Sequence, residues 1–152
     1  MALTITTVCL NPCEDWTVWV DRLVPGGTNR IQAETSQPGG KGINVARNLA
    51  VLGAPACAVG LIGEESAGWL LSALKGSGVR TDFTRLPGKA RRNLKIFDRR
   101  AGAITEVNAP GLFASAPALA GVADAALRRA KESRFLVLTG SLPPGCPPGY
   151  YG

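Results

Sequence analysis

Apolar residues along the chain alternate between strand-like and helix-like spacing, with glycines and prolines marking the boundaries. A first strand is predicted over residues 3–10, ending at Asn11-Pro12, because proline cannot donate to a β-ladder. Two shorter alternating segments, 17–23 and 30–35, have no helix between them, which indicates a small antiparallel flap. The pattern also predicts strands at 56–62, 93–98, 104–108 and 135–139, and helices at 43–52, 66–75 and 115–131.

Strands and helices alternate from residue 43 onward, which predicts an α/β fold built on a parallel sheet. The continuous apolar run at 135–139 is typical of a strand buried in such a sheet. The glycine- and proline-rich loop at 140–145 predicts another helix near Pro147. Because the chain ends at Gly152 and a helix usually needs about 11 residues, we expect this last unit, and with it the sheet, to be truncated.

Composition narrows the class of protein. With 152 residues, 45% of them hydrophobic, the chain is long enough and apolar enough for one folded domain. The formal net charge of +6 suits an anionic partner. The basic residues form no single tract and show no pattern of interleaved aromatic residues, so nucleic-acid binding is not expected. No apolar run approaches the ~20 residues of a membrane helix, so no membrane association is expected either.

The cysteines and the lack of histidine restrict compartment and chemistry. Four scattered cysteines with no CxxC pair, and no N-terminal signal segment, favour a reduced protein in the cytoplasm. The sequence contains no histidine, which excludes Ser-His-Asp and Cys-His catalysis and histidine-ligated metal sites.

The clearest motif is GGKGIN at positions 39–44, at the start of a predicted helix. It matches neither a Walker A loop nor the GxGxxG spacing of a dinucleotide fold. Glycines before a helix let the backbone approach a ligand, the helix N-terminus offers free N–H groups, and Asn44 can donate and accept hydrogen bonds. These properties suit a polyol or a phosphorylated sugar. The alternative is a tight turn whose glycines serve only the backbone geometry.

Other polar residues follow or line predicted strands. Asp15 comes after the first strand, where α/β sheets place ligand-binding loops, and a carboxylate there can bind sugar hydroxyls; the alternative is a turn or cap residue. Arg91, Asn93 and Lys95 alternate along one strand and share one face, which is either a phosphate site or a solvated surface. Ser141, after the last predicted strand, can donate to a ligand hydroxyl or cap the following turn.

Five motifs occur in a characteristic order: Asn11-Pro12 with Asp15, GGKGINVA at 39–46, Arg91 with NLKI at 93–96, TEVN at 105–108 and GSLPPG at 140–145. In order and spacing they closely resemble the PfkB, or ribokinase-like, carbohydrate kinases, and within them the branch of 1-phosphofructokinases and tagatose-6-phosphate kinases. The sequence departs from that branch at Cys13-Glu14, where small or apolar residues are usual, and at Ala90, which replaces a hydroxyl residue.

The resemblance implies a ribokinase-like fold, in which a Rossmann-like sheet is flanked by helices and carries a small β lid, here about residues 17–35 and 91–108, that often forms dimers. Residues 1–152 would be the N-terminal, substrate-side part of the kinase domain. The ATP-binding part, with the catalytic aspartate, would be absent, and the implied cofactors are ATP and Mg²⁺. By the same resemblance, the sugar phosphate would be contacted by Asp15, Gly39, Gly40, Lys41, Asn44, Arg91, Asn93, Lys95 and Ser141.

For function, the resemblance implies ATP-dependent phosphorylation of fructose 1-phosphate to fructose 1,6-bisphosphate by the complete enzyme, with this chain inactive by itself. Tagatose-6-phosphate kinase and 6-phosphofructokinase activities of the same family are close alternatives. A non-catalytic fragment that binds sugar phosphates or forms dimers belongs to a different class. A further alternative is a truncated product without stable function, because an incomplete sheet would expose apolar faces and an unpaired edge.

Overall fold

The computed structural model describes residues 4–152 as two four-stranded sheets and three helices. Residue 3, where the first strand was predicted to begin, lies outside the described residues. The strands are β1 (Thr4–Cys9), β2 (Cys13–Val20), β3 (Ala33–Gly39), β4 (Ala56–Gly63), β5 (Arg80–Leu86), β6 (Arg91–Asp98), β7 (Ala103–Asn108) and β8 (Ser133–Leu138). The helices are α1 (Lys41–Val51), α2 (Glu64–Gly76) and α3 (Ala116–Ala130).

The core is a parallel sheet in the order β5-β4-β1-β8, with helices on both faces. On one face, Val59 of β4 packs in a buried cluster with Leu119 and Val122 of α3. On the other face, α1 and α2 supply a second cluster that includes Ile43 and Leu70. All residues of β4 are buried, as expected for a central strand covered on both sides. The predicted α/β fold with a parallel sheet is therefore confirmed.

A second sheet, in the order β3-β2-β6-β7, forms a lid beside the carboxyl ends of the core strands. β2 pairs in parallel with β6, whereas β3 and β7 are antiparallel to their neighbours. The predicted flap thus exists, and so does the hairpin predicted at 93–98 and 104–108, which is β6–β7. Only three residues separate β1 from β2, so the lid begins directly at the end of a core strand.

Several predicted boundaries in the lid were wrong. β2 begins at Cys13, well before the predicted 17–23, and β3 covers 33–39 instead of 30–35. Pro38 is tolerated in β3 because this strand lies at the edge of the sheet, where one side of the backbone makes no ladder hydrogen bonds. α1 begins at Lys41, so this residue and Gly42 belong to the helix and not to the preceding loop.

The sequence patterns also failed in the core sheet. The polar strand β5 was not predicted, because its sequence RTDFTRL lacks an apolar run. β8 was predicted to be buried, but within residues 4–152 it is an edge strand, and Phe135 is 56% exposed. The predicted helix near Pro147 is also absent, since residues 141–152 form only turns and irregular structure. None of α1, α2 and α3, the helices of residues 4–152, is long and apolar enough to cross a membrane.

Candidate functional site

A cleft of about 220 Å³ lies between the lid and the carboxyl ends of the core strands. Its walls come from the end of β1, the start of α1, the inner face of β2, β6 and β7, and the loop after β8. The structure brings together all but one of the predicted site residues here: Asp15, Gly40, Lys41, Asn44, Arg91, Asn93, Lys95 and Ser141. Further lining residues, which were not predicted as site residues, are Cys9, Asn11, Cys13, Glu106, Asn108 and Gly140.

Asp15 is at the centre of this arrangement, but not in the loop where it was predicted. It lies within β2, because that strand already begins at Cys13, and its register partner on β6 is Asn93. The Asn93 amide donates to Asp15 Oδ1 over 3.3 Å, and Lys95 Nζ lies 3.5 Å from Oδ2. The Cys13 thiol donates to Oδ1 over 3.4 Å. Strand pairing therefore fixes a carboxylate that can still accept hydrogen bonds from a ligand.

Arg91 supplies a positioned positive charge at one end of the cleft. Its guanidinium donates to the carbonyl oxygens of Asn11 and Ala109, the latter over 3.0 Å, and to Asn93 Oδ1 over 2.9 Å. These partners carry no formal charge, so they orient the guanidinium without neutralising it. The remaining Nη2 hydrogen is available to an anionic ligand.

The predicted alternation of residues along this strand is confirmed. Arg91, Asn93 and Lys95 all line the cleft, whereas Arg92 points to the opposite face of the lid sheet. There Arg92 forms a bidentate ion pair with Glu14, with 2.9 and 3.1 Å between the atoms, and its guanidinium carbon lies 4.9 Å from the centroid of the Trp16 ring. Arg92 is thus held away from the cleft.

The two glycines before α1 allow close approach of the backbone. Gly40 has φ +114°, and a Cβ at this position would lie 2.7 Å from Cys9 Sγ. A Cβ on Gly39 would lie 2.5 Å from Asp15 Oδ2 and 2.7 Å from Cys13 Sγ. Gly39 is the one predicted site residue that does not line the cleft. It is buried at the end of β3, where the absence of a Cβ leaves room for the Asp15 carboxylate.

The start of α1 adds positive potential to the cleft. The Asn44 N–H makes the first helical hydrogen bond, to the Gly40 carbonyl. Gly40 has no side chain, so it cannot cap the N–H groups of residues 41–43. The first turn contains no acidic residue, and Lys41 lies within it. The positive end of a helix dipole, with a lysine in the first turn, favours an anion such as a phosphate.

Asn11 was missed as a site residue, although it belongs to the Asn-Pro motif after the first strand. Its amide donates to the Pro110 carbonyl over 2.9 Å and to Ser141 Oγ over 3.3 Å. It therefore links the end of β1 to the segment after β7 and to the loop after β8.

Glu106 and Asn108 were also not predicted as site residues. On β7 they are the register partners of Lys95 and Asn93, respectively, and this pairing places them in the cleft. Only knowledge of the strand pairing could have revealed their position.

Two of the cysteines line the cleft as neutral thiols. Burial, together with the negative charge of Asp15, raises the pKa of Cys13 to about 12. Burial also raises the pKa of Cys9. Because the thiolate is the reactive form, neither group is suited to act as a nucleophile, and Cys13 acts instead as a hydrogen-bond donor to Asp15.

The resemblance implies ATP and Mg²⁺ as cofactors, and for Mg²⁺ the described residues offer no ligand set. Within residues 4–152 no group of three or more cysteine, aspartate or glutamate side chains could hold a metal ion. The acidic groups of the cleft, Asp15 and Glu106, are accompanied by Lys41, Arg91 and Lys95, which favour an anion over a cation. We therefore assign no Mg²⁺ site to the described residues.

Comparison with known proteins agrees with the fold. The family model of pfkB family carbohydrate kinases matches residues 8–151. The chain therefore belongs to the pfkB family of carbohydrate kinases. Among curated relatives, it is 38% identical over 147 residues to a 1-phosphofructokinase of Xanthomonas campestris pv. campestris, a match that covers 97% of this chain and 46% of the relative. It is 37% identical to a 1-phosphofructokinase of Rhodobacter capsulatus, with 95% and 46% of the two chains covered.

Solved structures show the same relation. Phosphofructokinase-2 from Escherichia coli in complex with fructose-6-phosphate is similar with a TM-score of 0.89 and 30% identity, over 98% of this chain and 49% of that one. Ribokinase from Thermotoga maritima is similar with a TM-score of 0.62 and 27% identity, over 72% and 37% of the two chains. The predicted ribokinase-like fold is confirmed. The chain spans about half the length of the relatives it matches.

Proposed function

We propose that this chain is the sugar-phosphate-binding half of an ATP-dependent kinase that converts fructose 1-phosphate to fructose 1,6-bisphosphate. The observation that carries the proposal is the position of Asp15, which shares one cleft with Arg91, Lys95 and the N-terminus of α1. A carboxylate for hydroxyl groups and positive charge for a phosphate are the two features that a sugar phosphate requires. The relatives named 1-phosphofructokinase favour fructose 1-phosphate among the sugars.

Each cleft residue then has a role in holding the acceptor. Arg91, Lys41 and the N–H groups at the start of α1 bind the phosphate of the substrate. Asp15 accepts hydrogen bonds from sugar hydroxyls, and Asn44 and Ser141 offer further donors and acceptors. Cys13 and Asn93 hold the Asp15 carboxylate in place through their hydrogen bonds to Oδ1. By fixing the sugar in one orientation, these contacts lower the entropic cost of presenting its free hydroxyl for reaction.

Transfer of a phosphoryl group needs more than these residues. MgATP supplies the phosphoryl group, and the acceptor hydroxyl must lose its proton to a positioned base while charge on the transferred group is stabilised. In the cleft, Asp15 is already engaged by Lys95 and Asn93, which suits binding better than proton transfer. We therefore place the base and the nucleotide site outside residues 4–152 and expect this chain by itself to be inactive.

A binding titration with matched variants tests the proposal. Fructose 1-phosphate is titrated into the 152-residue chain by calorimetry, and then into Arg91→Gln and Arg92→Gln, which alter neighbouring residues on opposite faces of β6. Loss of a charge-assisted phosphate contact should weaken binding about tenfold or more in Arg91→Gln. Arg92→Gln should bind like the unaltered chain. Equal affinities of the two variants, or no binding to the unaltered chain, would contradict the proposal.

The close alternatives differ in the sugar or in catalysis. Tagatose 6-phosphate and fructose 6-phosphate present the same phosphate and polyol groups, and phosphofructokinase-2 from Escherichia coli has been solved with fructose-6-phosphate. Competition titrations with the three sugar phosphates rank them. The second candidate function is a non-catalytic fragment that binds sugar phosphates, favoured by the contacts of Asp15 with Lys95 and Asn93, which suit binding better than proton transfer.

We further propose that the lid forms a homodimer and that the protein works in the cytoplasm. The lid exposes apolar side chains, among them Ile104 and Val107 on β7, each 58% exposed. A tetrameric form of phosphofructokinase-2 from Escherichia coli has been described.

The cysteines support the proposed location in the cytoplasm. All four are free, which suits a reducing compartment: Cys9, Cys13, Cys57 and Cys146.

A further inference from the structure

A second groove, of about 490 Å³, continues from the cleft between the lid and the outer face of α1. The groove and the cleft share Asp15, Asn44 and Lys95. The proposed kinase substrate occupies the cleft, so the groove remains without a role. We call it the outer groove, and beyond the shared residues it is lined chiefly by Thr17, Thr35, Gln37, Arg47, Asn48 and Ser77.

Arg47 places an unbalanced positive charge in the outer groove. This half-buried residue donates from Nη1 to the Pro38 carbonyl over 3.2 Å, its one side-chain hydrogen bond within residues 4–152. No carboxylate of the described residues forms an ion pair with it. Guanidinium groups carry five N–H donors, so most of those on Arg47 are free to bind an anion. A phosphate is the anion whose geometry this group matches best.

Two polar surfaces face each other across the outer groove. Asn44, Arg47 and Asn48 recur at helical spacing, which places them on one face of α1. Thr17 and Thr35 are register partners on β2 and β3 of the lid. The amides and hydroxyls of these side chains make no side-chain hydrogen bonds with other residues in 4–152, so their donors and acceptors are available to a polar ligand.

We propose that the outer groove is a second binding site for a sugar phosphate, in which Arg47 and Lys95 bind the phosphate, and the Asn48 amide and the hydroxyls of Thr17 and Thr35 bind the sugar hydroxyls. The ligand class rests on the proposed function, whereas the groove and its charge do not. Lys95 belongs to both sites and is already 3.5 Å from Asp15, so a molecule in the cleft competes for it. Two phosphates this close together also repel each other. The second molecule therefore binds more weakly than the first.

Calorimetric titration of the 152-residue chain with fructose 1-phosphate, carried to high concentration, tests this site. The expected result is two molecules bound per chain, the second with lower affinity. Arg47→Gln should weaken the second event about tenfold or more and leave the first unchanged. Asn48→Ala, which alters an exposed residue without a side-chain partner, should also weaken the second event and keeps the test valid if Arg47→Gln does not fold. Arg85→Gln, at an exposed position on β5, is the control and should change neither event.

The outcomes separate this inference from the proposed function. If Arg91→Gln loses the first binding event and retains the second, the result supports both the proposed function and the second site. A single event that Arg47→Gln and Asn48→Ala leave unchanged overturns the second site but not the kinase proposal. A single event that depends on Arg47 and not on Arg91 overturns the proposed cleft and supports the outer groove. In a parallel arm with inorganic phosphate, displacement by fructose 1-phosphate at the Arg47-dependent site supports a sugar phosphate, and absence of displacement overturns it.

Discussion

Gly39→Ala is the substitution that most sharply tests how the cleft is built. The new Cβ would lie 2.5 Å from Asp15 Oδ2, whereas ordinary contacts begin at 3.4 Å, so the carboxylate must move by about 1 Å. It is held by Lys95 at 3.5 Å and Asn93 at 3.3 Å, and a shift of that size disrupts these contacts. Cys13 Sγ, 2.7 Å from the same Cβ, limits where the carboxylate can go.

The expected effect is on binding as well as on stability. Overpacking of this kind costs about 1–3 kcal/mol of the free energy of unfolding. If the Asp15 carboxylate binds the sugar as proposed, its displacement should also weaken fructose 1-phosphate binding about tenfold, equivalent to about 1.4 kcal/mol. Urea denaturation measures the first quantity, and calorimetric titration of the folded variant measures the second.

Gly68→Ala is the matched control, because it makes the same chemical change without the contact. Gly68 is an exposed residue within α2, and a Cβ there meets nothing within 4 Å. Alanine should therefore stabilise the protein by about 0.5–1 kcal/mol and leave binding unchanged. If Gly39→Ala binds fructose 1-phosphate as tightly as Gly68→Ala does, Asp15 does not hold the sugar in the proposed way.

Three other changes have defined outcomes. Thr7→Val should raise the free energy of unfolding by about 1 kcal/mol in urea, because Thr7 Oγ1 is buried without a hydrogen-bond partner; lower stability would mean that the hydroxyl is satisfied after all. Asp98 accepts backbone hydrogen bonds from Ala101, Leu23 and Arg100, which hold its pKa below the ordinary 3.8. Ionised Asp98 therefore adds to the free energy of unfolding above about pH 3.8, and this contribution is lost as the pH falls through the lower pKa of the folded state. When the free energy of unfolding is measured against pH, Asp98→Asn should lack this acid-dependent loss. Identical pH profiles of the variant and the unaltered chain would refute the assignment. Ile104→Glu should convert a lid dimer to a monomer in sedimentation experiments, because it places a charge on the exposed apolar surface of the lid. Val51→Glu, at an 84% exposed position on α1, is the control and should leave the dimer intact. A monomeric unaltered chain would rule out the lid dimer.

The sequence was most informative where apolar patterns and strand alternation decide the structure. The buried run at 56–62 became β4, and the alternation of Arg91, Asn93 and Lys95 gave their common face. Glycines before Ile43 correctly indicated a close approach at the start of α1. In each case the physical cause can be read from the local sequence, because it is the burial of apolar residues or the periodicity of the side chains.

The failures concern strands whose stability comes from their neighbours. Cys13, Glu14 and Asp15 look like a polar loop, yet they pair on both sides, with β3 and with β6. The polar strand β5 is held by its parallel pairing with β4. Glu106 and Asn108 enter the cleft through the register of β7. Pairing partners distant in sequence fix these positions, and no local pattern reveals them.

The proposed function requires that the cleft is the sugar-phosphate site of a kinase. The direct measurement is a coupled ADP-release assay with fructose 1-phosphate and MgATP, on this chain and on a version extended through any downstream reading frame. We predict turnover only by the extended version, and its loss in extended Arg91→Gln but not in extended Arg92→Gln. Turnover by the 152-residue chain itself, or none by an extended version of the relatives' length with any of the three sugar phosphates, would contradict the account.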